Sequence, residues 1–321
     1  MSRDEKERRV IDLYFNQGKT TREIIKELRV SPNYVSTILK KEEEKKIEHI
    51  IVRIPADGNE KGPTSILEGD LTLPHNNNNR NTTKGEIVIF AHGSGSSRHS
   101  PRNQFVSQAL NNDGLATLLV DLLTPEEEET DIRTQKIQCK VPGLVLNKFN
   151  IKLLSRRLVA IIDWVISSSL TTTSTIKDVE NHNNSIIGIF GSSTGTAAAL
   201  IAAALIAAAQ RPDIVAAIVS RSGRPDLADL QSQQKVKAPT LFIVGGNDDK
   251  RVIDVNNKVL SQLVSAQKKK VITVRGATHL FEESGALEEV ARLASGWFRC
   301  YFLIKEHYSN NNGSSSSQRQ Q

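Results

Sequence analysis

Between residues 48 and 305, short runs rich in β-branched residues alternate with longer stretches of helical periodicity. The runs fall at Ile50–Pro55, Ile66–Leu73, Ile87–Ala91, Ala116–Leu122, Ile186–Phe190, Ile214–Val219, Thr240–Val244 and Val271–Arg275. Helices are expected over Arg102–Asn111, Ile151–Ile166, Thr194–Gln210, Val255–Ala266 and Leu287–Ile304. A first hairpin followed by strand–helix alternation predicts an α/β domain, a mostly parallel sheet with helices on both faces. Ligands of such sheets bind at the carboxyl ends of the strands, so chemistry should be sought in the loops there.

One of those loops has a reactive pattern. The apolar run Ile186–Phe190 leads into Gly191-Ser192-Ser193-Thr194-Gly195 and then into an alanine-rich helix. This is G-x-S-x-G in a strand–turn–helix setting, where flanking glycines permit a turn tight enough to project the middle serine. Ser193 is therefore the candidate nucleophile, and the helix N-terminus behind it favours negative charge. A serine hydroxyl needs a base, itself held by an acid. His279 and His307 are the histidines downstream, and His307 abuts the polar tail, so His279 in Gly276-Ala277-Thr278-His279 is the candidate base. Gly245-Gly246-Asn247-Asp248-Asp249 follows the preceding strand and offers Asp248 as the acid, with Asp249 as the alternative. Asp254 reads as the start of the next helix, where an acid suits the dipole.

An oxyanion needs two backbone N–H donors. Thr194 follows the nucleophile and supplies one; Ser94 in His92-Gly93-Ser94-Gly95, after the strand Ile87–Ala91, supplies the other. Arg98 and Arg221 sit in loops expected at the same sheet end and are candidate substrate-binding residues, able to grip a carboxylate or phosphate. The plainer alternative is that such arginines pin their loops through ion pairs to acids such as Asp226. Pocket residues are expected within Thr124–Asn150.

Taken together, His92–Gly95, Gly191–Gly195, Gly245–Asp248 and Thr278-His279 resemble the α/β-hydrolase superfamily, most closely its dienelactone-hydrolase-like branch, over roughly residues 48–305. The resemblance implies an eight-stranded sheet and ester or lactone hydrolysis without metal or cofactor. Serine replaces the cysteine that dienelactone hydrolases carry at the position of Ser193. The expected substrate is a small acyl compound.

The flanking segments differ in composition. Residues 1–46 carry Val10, Ile11, Leu13, Tyr14 and Phe15 at helical spacing. Thr20-Thr21-Arg22-Glu23 is a capping box, and Ser31-Pro32 supplies a cap and a first-turn proline. Three closely connected helices resemble a small all-α helix-turn-helix domain. DNA is then an expected partner, read by Asn33, Tyr34, Ser36, Thr37 and Lys40 on the third helix, with a homodimer on a two-fold site. The alternative is a module for dimerisation or protein binding. Residues 306–321 are polar and repetitive and are expected to be disordered, and the polar inserts His75–Thr83 and Ser167–Ser185 are expected to be surface loops.

Composition narrows the remaining classes. A net charge of +6 and pI near 9.2 favour acidic partners only weakly. Two distant cysteines, Cys139 and Cys300, suggest neither a disulfide framework nor a metal site. The most apolar stretch, Thr196–Ala209, is shorter than the ~20 residues of a membrane span. With no secretory signal visible, a cytoplasmic protein is expected. A competing reading of the whole is a transcription regulator that uses the hydrolase fold as a ligand sensor.

Overall fold

The computed structural model describes residues 3–44, 47–56, 65–74, 86–135, 146–168, 186–209, 211 and 214–316. The inserts at 75–83 and, past Ser168, 169–185 lie outside the described residues, as does Cys139. The chain forms two compact units, one centred on Met1–Glu48, the other on His49–Leu73 and the chain from Asn81.

The first unit holds α1 (Arg3–Ile11), continued by a π-helical turn over Asp12–Asn16, then α2 (Thr21–Leu28) and α3 (Pro32–Glu44). The Thr20–Glu23 capping box is formed, and the Tyr34 N–H donates to the Ser31 hydroxyl at 3.1 Å. Val10, Leu13, Ile24 and Val35 are wholly buried, with Ile38 and Leu39 beside them. At 25 cal/mol per Å2, each such side chain contributes roughly 1.5–3 kcal/mol, enough to hold three short helices that would not persist alone.

The second unit is built on eight strands: β1 (Ile47–Ala56), β2 (Ser65–Pro74), β3 (Glu86–Ala91), β4 (Ala116–Val120), β5 (Ile186–Ser192), β6 (Val215–Arg221), β7 (Thr240–Gly245) and β8 (Lys269–Val274). Their order is β1-β2-β4-β3-β5-β6-β7-β8. β2 runs antiparallel to β4, and every pairing from β4 through β8 is parallel. The chain steps from β3 to β4 on one side and returns with β5 on the other, so strand order switches at β3. The crevice at that switch is the binding position of open parallel sheets.

Both sheet faces are covered. α6 (Ile151–Ser167), α7 (Thr194–Ala208) and α9 (Lys250–Gln262) contribute to one apolar core. α4 (Pro101–Asn112) and α10 (Ala286–Ser316) contribute to the other. Strands buried on both faces explain why β3, β5 and β7 read as continuous apolar runs instead of alternating.

Four helices differ from the sequence reading. α5 (Pro125–Gln135) was not expected, because its apolar periodicity is weak. Its signal lay in Thr124-Pro125-Glu126-Glu127, where the Thr124 N–H donates to Glu127 Oε2 at 2.9 Å and the Glu127 N–H returns to the Thr124 hydroxyl at 3.3 Å. A further short helix, α8 (Leu230–Lys235), also went unread. α9 starts at Lys250, ahead of the expected Val255, because Asp249 is its N-cap and accepts from the Arg251 N–H at 2.8 Å; Asp254 lies inside the helix. α10 continues past Ile304 to Ser316, into the stretch expected to lack structure.

Candidate active site

β5 and α7 meet at Ser193, whose φ of 48° and ψ of −120° put a non-glycine residue in left-handed space. Such a backbone costs about 1–3 kcal/mol and persists only where surroundings impose it. Here they do: the Ser193 N–H donates to the Arg221 carbonyl, and the Ser193 carbonyl accepts from Thr196 and Arg224 at 3.1 and 2.9 Å. Gly195 is required by close approach, since a Cβ there would lie 2.1 Å from the Ala91 carbonyl oxygen. The adjoining loop is equally near, because a Cβ on Gly93 would sit 2.9 Å from the Ser193 Cβ.

The β7 and β8 loops bring the other two candidates together. His279 Nδ1 lies 3.0 Å from both carboxylate oxygens of Asp248. The Asp248 side chain is buried while His279 is about two-fifths exposed, so the carboxylate is fixed and the ring remains accessible. Asp248 also accepts from the Ser222 hydroxyl at 2.6 Å and from the Asp249 N–H at 2.7 Å. Ser222 was not singled out from sequence. Asp249 faces elsewhere, as the cap of α9.

On the oxyanion side the arrangement differs from expectation in one respect. The Ser94 N–H donates to the Thr194 hydroxyl at 2.8 Å, so this expected donor is engaged by a side chain. Thr194 is the first residue of α7, whose own N–H has no intrahelical acceptor. Its hydroxyl proton also remains free to donate, because Oγ1 serves Ser94 as acceptor.

His92 was visible in the sequence but received no role. It is buried; its Nε2 accepts from the Leu122 N–H at 2.9 Å, which leaves Nδ1 to donate to the Gly93 carbonyl at 3.0 Å. The ring thus ties the oxyanion loop to the end of β4. Burial holds its pKa below the ordinary 6.5, against the pull of the Gly93 carbonyl and Asp121. The sign follows: the folded state refuses a proton that the unfolded chain accepts, so stability is intact above about pH 6.5 and declines as pH falls below it. His92→Gln should therefore lose less urea stability than wild type between pH 7.5 and 5.5. An identical pH slope in the two proteins would exclude His92 as the source.

The two candidate substrate arginines part company. Arg98 makes the loop-pinning ion pairs of the alternative reading: its guanidinium pairs with Asp121, with Glu68 at 2.9 Å and with Asp70 at 3.4 Å, while its backbone N–H also donates to Asp121. Three carboxylates already engage it, so it pins its loop to β2 and the end of β4. Arg221 has no carboxylate partner among the described residues; its Nη2 reaches Asn103 Oδ1 and the Ser192 hydroxyl at 3.2 Å each. Asp226 pairs instead with Arg224, at 2.9 and 2.8 Å.

A cavity of about 340 Å3 opens on the oxyanion loop, lined by Ser94, Gly95, Leu123, Glu128, Ile132 and Leu154 among others. Its roof is α5, which Arg157 anchors: the fully buried guanidinium meets Glu127 at 2.6 and 2.7 Å and the Leu122 carbonyl at 2.7 Å. Burial, then Asp121 and Asp131, raise the Glu128 pKa. The expected pocket segment is thus placed in part, residues 136–145 being outside the described ones.

In the first unit, Asn33, Ser36, Thr37 and Lys40 are exposed on α3, whereas Tyr34 packs partly against the small core. No helix among the described residues is long and apolar enough to cross a membrane.

Comparison with known proteins adds relatives to this geometry. A family model described as PET hydrolase-like matches residues 152–320, which include Ser193, Asp248 and His279. A dienelactone hydrolase from Anabaena variabilis is 43% identical, with a TM-score of 0.63 over 80% of this chain and 99% of that one. Est1E from Butyrivibrio proteoclasticus is 18% identical, with a TM-score of 0.55 over 79% of this chain and 99% of that one, and shares the fold. A putative phosphoribosyl transferase of Mycobacterium tuberculosis is 44% identical over 238 residues, 74% of this chain. The chain spans only 44% of that relative's length.

Proposed function

The chain belongs to the PET hydrolase-like family of the α/β-hydrolase superfamily, and from this we propose that it is a serine hydrolase of a carboxylic ester, lactone or thioester. The observation that carries the reading is the buried Asp248 carboxylate bonded to an accessible His279, at the sheet end where the strained Ser193 turn projects. In the proposed reaction His279 Nε2 removes the Ser193 proton as Oγ attacks the acyl carbon. The Thr194 N–H and hydroxyl receive the oxyanion, joined by the Ser94 N–H once it releases the Thr194 hydroxyl oxygen. His279 then protonates the leaving alkoxide or thiolate, and water repeats the sequence on the acyl-enzyme. Nucleophile, acid and base all come from the chain, so the chemistry calls for no cofactor. Labelling by a fluorophosphonate probe together with release of 4-nitrophenol from 4-nitrophenyl acetate tests the reading; a folded protein that does neither refutes it.

The name of the Mycobacterium relatives belongs to proteins of which less than half is matched, and acyl transfer, not phosphoribosyl transfer, is what a Ser-His-Asp set performs. The ligand-sensor alternative leaves unexplained why a carboxylate with four polar contacts should orient a histidine in a protein that also holds a strained serine turn.

For the first unit we read α3 as a DNA-contacting helix of a helix-turn-helix domain. Its support is the set of exposed polar residues Asn33, Ser36, Thr37 and Lys40, with Tyr34 at its edge. Retention on duplex DNA should fall more than tenfold in an Asn33→Ala, Lys40→Ala double variant with esterase turnover intact. Unchanged retention would assign the unit to a protein partner or to dimer formation.

A further inference from the structure

We propose that Arg221 and Arg102 form an anion subsite beside the nucleophile turn, which takes a carboxylate or phosphate group carried by the ester substrate. The proposal rests on the hydrolase reading above.

Arg221 ends β6 as the register partner of Ser192, the residue before the nucleophile. Its side chain is buried, and its contacts are Asn103 of α4 and Ser192, both made by Nη2. Nε and Nη1 are enclosed and have no hydrogen-bond partner among the described residues. The anchoring Arg157 also leaves its Nε unpaired but engages both Nη groups, whereas Arg221 leaves Nη1 unused as well. Arg102, one residue before Asn103, also has a buried Nε without a partner. Burial, reinforced by the like charge of Arg102, brings the Arg221 pKa down to about 10.

Two neighbouring guanidinium groups with three unspent donors are an unfavourable arrangement unless an anion completes it. A buried cation without a counter-charge leaves its desolvation uncompensated, and the like charge of Arg102 adds to that cost. The acid paired with Arg102 among the described residues is a poor substitute. Glu282 lies 3.5 Å from Arg102 Nη1, and its side chain is 66% exposed, so the contact is weak and easily displaced. Arg102 is itself one-third exposed and marks the route by which an anion would enter. The first turn of the twelve-residue α4, which carries Arg102 and Asn103, adds the positive end of its dipole. A planar or tetrahedral oxyanion suits the paired donors of a guanidinium.

The location says what the anion belongs to. Glu282 lies three residues beyond His279, and Ser192 adjoins Ser193, so the subsite lies between the loops of base and nucleophile. This is separate from the cavity at the oxyanion loop, whose lining includes Glu128 and Asp131. A substrate spanning both would place its anionic end at Arg102 and Arg221 and its other end under α5.

The test compares 4-nitrophenyl acetate with the mono-4-nitrophenyl ester of succinate, on the full chain and on Arg102→Gln, Arg221→Gln and Glu282→Gln variants. Thermal unfolding is followed in parallel with acetate or inorganic phosphate. We expect kcat/KM for the anionic ester, relative to the neutral one, to fall at least tenfold in both arginine variants. Acetate or phosphate should raise Tm saturably in wild type, more steeply in Glu282→Gln and not in Arg102→Gln; the more effective anion identifies carboxylate or phosphate as the group taken. Should Arg221→Gln not fold, the more exposed Arg102→Gln decides. An unchanged ester ratio in Arg102→Gln, or an anion effect on Tm equal to that of wild type, overturns the subsite. If wild type hydrolyses neither ester, the hydrolase reading fails, and the Tm series still decides whether the anion binds.

Discussion

Ser193→Ala is expected to abolish fluorophosphonate labelling and to lower kcat for 4-nitrophenyl acetate by roughly ten-thousandfold to a millionfold, the loss seen when a serine hydrolase's nucleophile is removed. The fold should survive, because the turn is imposed by backbone bonds that alanine keeps: the residue 193 carbonyl to Thr196 and Arg224, and its N–H to the Arg221 carbonyl. A second variant separates chemistry from architecture. At φ 48° a Cβ is strained and glycine is not, so Ser193→Gly should be equally inactive yet more stable than Ser193→Ala by about 1 kcal/mol. That gain, read from urea midpoints, would show that the protein gives up stability to present this hydroxyl. Full labelling of Ser193→Ala would place the nucleophile elsewhere, and equal stability of the two variants would mean that the turn stores no strain.

Much of this site was legible because each part has a local signature. The G-x-S-x-G turn is set by an apolar run before it and an alanine-rich helix after it, and those patterns act within about twenty residues. The candidate base His279 could be picked by elimination, and the candidate acid Asp248 by following a strand that ends in glycines; the structure brings these two side chains together. What stayed hidden depends on the third dimension. The choice between the two aspartates turned on which one caps α9, and the cap misread at Asp254 belonged to Asp249. Arg98 and Arg221 look alike in sequence, both in loops expected at one sheet end. Only packing shows that β2 and the end of β4 surround the first with carboxylates and that nothing comparable among the described residues faces the second. His92 and Ser222 went unassigned for the same reason: a histidine clamping a loop and a hydroxyl serving a carboxylate are defined by partners 30 and 26 residues away. The α5 roof is a different case, since its capping box was present in the sequence and was outweighed by the absence of an apolar stripe.

The adjacent aspartates give the second large effect, and a sharp contrast. Asp248→Asn should lower kcat by roughly ten-thousandfold, as expected when the acid of a serine–histidine pair becomes an amide. The reason lies in the contacts of Asp248, since every group touching it is a donor: the Ser222 hydroxyl, the Asp249 N–H and the His279 ring nitrogen. An asparagine has one oxygen for these three and must turn its amide N–H2 toward a donor. The arrangement that relieves this puts the His279 proton on Nε2, the nitrogen that must be free to accept from Ser193. Asp249→Asn should behave quite differently. Its side chain caps α9 through the Arg251 N–H, and asparagine caps about as well as aspartate, so kcat should remain within about twofold of wild type. Measured side by side with fluorophosphonate labelling rates, the two variants are expected to differ by three orders of magnitude or more. If Asp249→Asn is the impaired protein, the orienting acid is Asp249, and the loop after β7 must rearrange before it can reach His279.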